Sequence, residues 1–359
     1  MAEDFALSEL VIPGTYIRVQ AEGLIGVGGI SSGNIGIVGT AAQGAGETHL
    51  LSEYGEAQEA FGAYDAYNGG DGDLNLTRGL ELAYRTGAGQ VFARALAVSD
   101  SGQDDYTAAF EELVKDDVNI LVAPDLATDD ALAVLSGVVE GAENDGKDVI
   151  AIVGSDVDAV DDIVDQVPDS PRIIMTAPGV RAYDAAAEQD VDLSGTYTAA
   201  ALAGLISTLV PQSSPTNKPL AGIARLSQRF SYGETVQLVN GRVCVLEQRR
   251  GVRVVRGITT NDGPFKQITT RRITDFAKAG IRAASSPFIG RLNNERVRKA
   301  LRGAIDGFLT TMLVDEALTS YELSVSATRQ DEINGRAIVN AVLQPTFSID
   351  YVAVTLVLQ

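Results

Sequence analysis

The sequence predicts a mixed α/β and α+β chain. An α/β unit over residues 25–210 is followed by an α+β unit over 211–346, and a strand reaches beyond the compact units at each extremity (1–24 and 347–359). Three observations carry this reading. From Gly33 to about Val210, short apolar runs alternate with helical segments, as in a largely parallel sheet layered with helices. A Pro/Ser-rich connector, PQSSPTNKP at 211–219, then leads into a region richer in strand pattern. Both chain ends alternate like strands, with no obvious partner beside them in sequence.

Taken in order, Pro13 and Gly14 bend the chain. Thr15, Ile17 and Val19 then point to one side, and Tyr16, Arg18 and Gln20 to the other. Strands are expected at 35–41, 90–96, 118–124, 148–154 and 172–178, with helices at 104–115, 128–143 and 158–167 that carry acids on their polar faces. The run GTYTAAALAGLISTLV at 195–210 places Tyr197, Ala201, Leu202, Leu205, Ile206 and Leu209 along one stripe of a buried helix. Past the connector, RVCVLEQRRGVRVVRGITT predicts a hairpin turning around Arg249 to Gly251. NNERVRKALRGAIDGFLTTML predicts a helix capped by Asn293 or Asn294, with Val297, Leu301, Ala304, Ile305, Phe308 and Met312 on one face. A strand at 321–327 follows. In FSIDYVAVTLVLQ both alternating sets turn apolar after Tyr351, so that strand requires cover on two sides. The two ends either pair with each other or complete sheets in other subunits.

At 359 residues and 45% hydrophobic content the chain is long enough for well-packed cores. The acidic opening MAEDFALSEL and the lack of a long apolar run argue against export and membrane insertion and for synthesis in a cytoplasm. Charge is divided unevenly: residues 1–195 hold 36 Asp and Glu against 8 Lys and Arg, and residues 196–359 hold 12 against 20. Only 6 of the 28 cations are lysine. Such a bias toward Asp, Glu and Arg fits either a salt-rich host cell, where a Debye length of about 3 Å at 1 M would screen the acidic half, or an ordinary acidic surface.

Little in the sequence commits to catalysis. Gly26, Gly28 and Ser31 give a G-x-G-x-x-S run, but a strand follows it where a dinucleotide turn needs a helix. Asp71, Asp73 and Asn75 open like a calcium loop, which fails at Leu76 and Leu82. His49 has no second histidine and no nearby nucleophile, and Cys244 sits in an apolar strand. A single Cys and a single His exclude a disulfide and the usual Cys/His metal sites, so no cofactor or metal is expected. The run Arg242, Arg249, Arg250, Arg253, Arg256, Arg271 and Arg272 has only Phe265 close by as a stacking aromatic. In a chain of net charge −20 it suits an acidic protein partner better than nucleic acid.

Several segments in ordered succession resemble contractile tail sheath proteins of bacteriophages and archaeal viruses. They are PGTYIRV, IGIVGTAAQGAGE, LLSEYGEAQEAFG, VNILVAPD, LAGLIS, NKPLAGI, LVNGRVCVLEQRRGVRVVRGITT, RRITDFA and NERVRKALRGAIDGFLTTML. The chain departs from the family in being short and in lacking the tryptophan often found before the glycine of VVRGITT. The acidic composition is compatible with a haloarchaeal host.

The resemblance implies an outward α/β insertion domain (25–210) and an inner, basic α+β sheath core (211–346). It also implies terminal arms that add strands to neighbouring subunits. The arm residues expected to link subunits are Pro13, Tyr16, Ile17, Val19, Tyr351, Val352, Val354, Leu356 and Leu358. Arg249, Arg250, Arg253, Arg271, Arg272, Arg296 and Arg298 are expected to face the tube or other subunits. The implied partners are further copies of the chain, a tail tube protein, and baseplate and tail terminator proteins, with assembly in the host cytoplasm into a virion tail. A nucleotide-binding α/β enzyme is the rival, supported only by the alternation of the first half. A tail tube protein is a second rival, against which the size of the α/β half counts.

Overall fold

The computed structural model of the chain describes residues 30–69 and 74–357. The first half alternates as expected: β1 (Ile35–Thr40), β2 (Thr48–Leu51), α1 (Tyr54–Phe61), α2 (Leu76–Arg85), β3 (Val91–Leu96), α3 (Gln103–Leu113), β4 (Ile120–Val122), α4 (Thr128–Asn144), β5 (Ile150–Gly154), α5 (Val160–Asp165) and β6 (Ile173–Ala177). Then come β7 (Val180–Asp184), β8 (Gln189–Leu193), α6 (Gly195–Ser207), β9 (Arg225–Leu226), α7 (Tyr232–Asn240), β10 (Val243–Gln248) and β11 (Val252–Val254). The remainder is α8 (Ile268–Ser285), α9 (Glu295–Val314), β12 (Leu318–Ser326), α10 (Arg329–Ile333) and β13 (Ile338–Pro345).

An eight-stranded sheet in the order β11-β10-β6-β5-β4-β1-β3-β2 forms the body. Its six inner strands are parallel, and β11 and β2 run antiparallel at the edges. Every residue of β1, β5 and β6 is buried, because helices cover both faces of a parallel sheet. On one face Ile35 and Ile37 pack with Leu80 of α2 and Tyr197 and Leu202 of α6. On the other, Val38 packs with Phe110 of α3 and Leu135 of α4. Helix α6 is buried all round rather than along one stripe, since it lies between the sheet and α2. It meets the end of β5 so closely that a Cβ on Gly154 would lie 1.7 Å from the Gly195 oxygen.

The connector at 211–219 is a loop, but it does not divide the sheet. Strand β10, from the second half, pairs parallel with β6 from the first, Val243 opposite Met175, so the division expected at 210/211 runs through one continuous layer. The hairpin around Arg249–Gly251 is present, turning through positive φ at Arg250 and Gly251. A three-stranded sheet, β8-β7-β9, caps the body.

Beyond the body, α8 and α9 cross. Ile273, Ala277 and Ala284 of α8 pack with Leu301, Ile305, Phe308 and Met312 of α9, and the antiparallel β12–β13 ribbon lies on this pair. Asn294 supplies the cap of α9, its side chain accepting from Val297 N at 3.0 Å. At the crossing a Cβ on Gly280 would lie 1.8 Å from the Phe308 ring. Gly280→Val is therefore expected to destabilise this unit by about 1–3 kcal/mol through overpacking. An unchanged denaturant midpoint would show that the crossing can spread.

Candidate functional site

The β12–β13 ribbon pairs from Leu318 opposite Pro345 to Ser326 opposite Ile338. Tyr321, Leu323, Val325, Val339 and Leu343 rest on the helices, while Val342 points to solvent. No third strand joins the ribbon among the described residues, so both long edges present unpaired backbone donors and acceptors. A two-stranded sheet is marginal by itself and gains most from further strands.

The chain leaves β13, the alternation of exposure slips by one residue at Pro345–Thr346, and Phe347 and Ile349 then stand exposed on either side of a half-buried Ser348. It is then tied down at one point. Gln267, the residue before α8, donates from Nε2 to Ser348 O (3.1 Å) and Asp350 Oδ2 (3.2 Å), and its Oε1 accepts from Ser348 N (3.0 Å). Arg256 Nε donates to Asp350 Oδ2 at 2.9 Å, and its guanidinium lies 5.2 Å from the centre of the Tyr351 ring. Past this knot the chain makes no strand among the described residues. Tyr351 and Val354 are exposed, as are Val352 (79%) and Leu356 (84%). Pro13, Tyr16, Ile17, Val19 and Leu358 lie outside the described residues.

The expected basic surface divides. Arg249 and Arg250 are exposed at the tip of the β10–β11 hairpin, and Arg296 is exposed on α9. Arg253 is partly covered and donates to Asn217 O (2.8 Å); Arg298 is held by Glu332 at 3.0 Å. Arg271 and Arg272 correct the expectation, because both are buried inside the chain and cannot face a tube. Arg271 pairs with Asp275 one turn on, at 2.5 Å, beneath the Phe265 ring. Arg272 donates to Ser32 O and Leu209 O, both at 2.8 Å, and burial lowers its guanidinium to about 10.

These two arginines border a network that fastens α8 to the body. Arg172, at the start of β6, bridges Glu143 (2.6 Å), Asp148 (2.9 Å) and Asp275 (3.3 Å). Lys278 reaches both Glu143 and Asp148, and Arg282 reaches Asp148 at 2.5 Å. Burial disfavours the charged form of Asp148, but the bonds from Lys278 and Arg282 outweigh it and hold the carboxyl below its ordinary range. Asp275 is pushed up by burial despite Arg271 and Arg172.

Alongside this seam runs a cleft of ≈520 Å³, walled by the α3–β4 and α4–β5 loops, Ile30–Ser32 and α8. Its lining mixes Lys115, Lys147, Arg272 and Arg282 with Asp116, Asp117, Asp148 and Asp275. This charge balance favours no ion of either sign. Among the described residues no group of three or more His, Cys, Asp or Glu is placed to hold a metal. Burial raises the Cys244 thiol to about 12, which leaves it unreactive. His49 stacks edge-on against Phe61 at 5.2 Å, and Ser31 donates to Asn119 Oδ1. Asn75 accepts from Thr40 N, while Gly26, Gly28, Asp71 and Asp73 lie outside the described residues. No described helix is long and apolar enough to cross a membrane.

The described residues thus bring together an unpaired two-stranded ribbon, a tied-down segment at 348–351 and an exposed apolar tail. Sequence reading missed Gln267 and Asp350 and placed Arg256 in a basic run without its partner, since Arg256 and Asp350 are 94 residues apart; it also missed β13, though IVNAVLQP alternates visibly.

Comparison with known proteins gives the same direction. The fold is shared with a chain of the anti-feeding prophage baseplate (TM-score 0.76, 18% identity, 97% of this chain and 99% of that one covered). It is also shared with the sheath complex of an extracellular contractile injection system in its contracted state (0.75, 15%, 96% and 97%). The sheath tail protein of Desulfitobacterium hafniense is a third (0.67, 13%, 93% and 100%). No curated protein matches the sequence. Residues 100–260 match the phage tail sheath protein central domain, and residues 260–359 match the phage tail sheath C-terminal domain. With consecutive matches covering residues 100–359, the chain belongs to the phage tail sheath family and is a structural subunit of a contractile sheath.

Proposed function

We propose that subunits of this sheath are joined by strand exchange around a tail tube, residues 9–20 and 347–359 of one copy adding to the open edges of the β12–β13 ribbons of others. The observation that carries this reading is the exposed apolar segment Val352–Val357, which lies outside every buried layer of the described residues, while a two-stranded ribbon stands with neither edge paired among those residues. A ten-residue strand spans about 33 Å, enough to reach a neighbour. Backbone bonds at about 1 kcal/mol net each, together with apolar burial, would hold the joint while rigid parts turn. Contraction then needs two packings of the same subunits, the extended one held at higher free energy, and no nucleotide.

Deleting residues 1–20 is expected to leave a folded, soluble chain that does not polymerise. Tubes of normal appearance in negative stain from that deletion would refute the joint. The exposed cations Arg249, Arg250 and Arg296 are the contacts assigned to the tube or to a neighbouring copy, and Arg253 and Arg298 lie beside them. Reversing the three exposed charges together is expected to weaken co-assembly with the tube by about tenfold or more. Intact extended tails would remove the assignment. Baseplate and tail terminator proteins would meet the ends of the polymer, which would be built in the host cytoplasm as part of a virion tail. The acidic first half supports a salt-rich, haloarchaeal setting.

A further inference from the structure

Two terminal segments far apart in sequence come to the same short piece of chain. Before entering β1, residues 30–34 are held on one side by Asn119, whose Oδ1 accepts from Ser31 Oγ (2.8 Å) and Asn34 N (3.0 Å). On the other side Arg272 donates to Ser32 O. After β13, residues 348–350 are held by Gln267 and Arg256. Gln267 and Arg272 are five residues apart, at the N-cap and in the early turns of α8. Arg272 is unusual among the buried arginines, for its bonds go to backbone carbonyls of two separate segments while Arg78, Arg172 and Arg271 each meet a carboxylate. A desolvated guanidinium held only by carbonyls is a poor means of stabilising a fold. It is a good means of tying segments together.

We propose that the start of α8 is a common anchor for both terminal arms, with Arg272 positioning the root of the first arm and Gln267 and Arg256 positioning the root of the second. The proposal rests on the strand-exchange reading above. Tension entering a subunit through residues 9–20 passes Ser32 and Arg272 into α8, and leaves by Gln267 and Ser348 into the next joint. Part of the load goes around the eight-stranded body, which is joined to this path through Asn119 ahead of β4 and through the run of residues 30–34 into β1. Each subunit thereby acts as a link whose two ends are fastened to one bar, so a string of copies bears load without pulling its sheets apart.

The test uses the full-length chain with Arg272→Met, Gln267→Ala and Asn119→Ala made singly. The Ser32 and Leu209 carbonyls are only part-buried and can take water in place of the guanidinium. Arg272→Met is therefore expected to melt close to the parent. Hydrogen exchange at residues 32–36 should rise about tenfold or more in Arg272→Met and in Asn119→Ala, and at 346–350 in Gln267→Ala, with α4 and β5 unchanged. Tubes of all three should form but break to shorter lengths under shear that leaves the parent whole. Unchanged protection at the roots, or parent-length tubes after shear, overturns the anchor. If deletion of residues 1–20 leaves normal tubes, the strand-exchange reading itself fails, whatever the three variants do. If that deletion blocks assembly while the variants resist shear like the parent, only the anchor falls.

Discussion

A chain ending at Tyr351 is expected to fold as the full-length chain does and to stay monomeric where the full-length chain polymerises. The cut keeps Ser348, Asp350 and Tyr351, so the knot with Gln267 and Arg256 survives. It removes Val352, Val354, Leu356 and Val357, which are exposed and cover nothing in their own chain. Burying such side chains is worth about 1.5–3 kcal/mol each. Four of them amount to several kcal/mol per joint before the cost of ordering the segment. Losing that at every joint of a polymer shifts assembly by orders of magnitude, and sedimentation velocity with thermal melting separates the two effects. A shortened chain that forms tubes at the usual concentration would end the strand-exchange reading.

Asp148→Ala is expected to destabilise the folded chain by about 3–5 kcal/mol, the cost of leaving buried positive charge without its counterion. Asp148 accepts from Arg172, Lys278 and Arg282 at once, and its side chain is 3% exposed. Arg172, itself 2% exposed, would keep only Glu143 and Asp275. The same carboxylate sets a pH dependence. Its folded pKa lies below the unfolded value of about 3.9, so its contribution is complete above that value and is lost as pH falls through the folded pKa. Glu143, lowered by Arg172 and Lys278, acts in the same direction. The parent should therefore lose stability below about pH 4 more steeply than Asp148→Asn. Denaturant melts from pH 3 to 7 read this directly. Parallel curves for the two proteins would show that the seam is held by packing alone.

The parallel strands were legible because strands buried on both faces read as unbroken apolar runs: IGIVG, ILV, IAIVG and IIMTA all became strands. The helix caps and the β10–β11 turn were legible for local reasons, an Asn before α9 and a Gly past Arg250. What failed was non-local. Arg271 and Arg272 stand in a run of polar residues, TTRRITD, that resembles a solvated face. Their burial depends on Asp275, on the Ser32 and Leu209 carbonyls, and on the body across the seam. The return of β10 to β6 follows a crossover through β7, β8, α6, β9 and α7 that no local pattern announces. The tie at 348–350 was invisible for the same reason, since Gln267 and Asp350 are ordinary polar residues until the chain brings them together.

The pairing of β10 with β6 also bears on how the chain is made. While the ribosome has emitted only residues up to 210, β6 is the outermost strand of a nascent sheet, with its backbone groups bare on one side until β10 arrives more than thirty residues later. A recombinant fragment cut at that connector would keep the bare edge permanently and would be prone to clumping. The ribbon follows later still, so under the strand-exchange reading every copy makes residues 9–20 long before it has a β12–β13 edge of its own to offer.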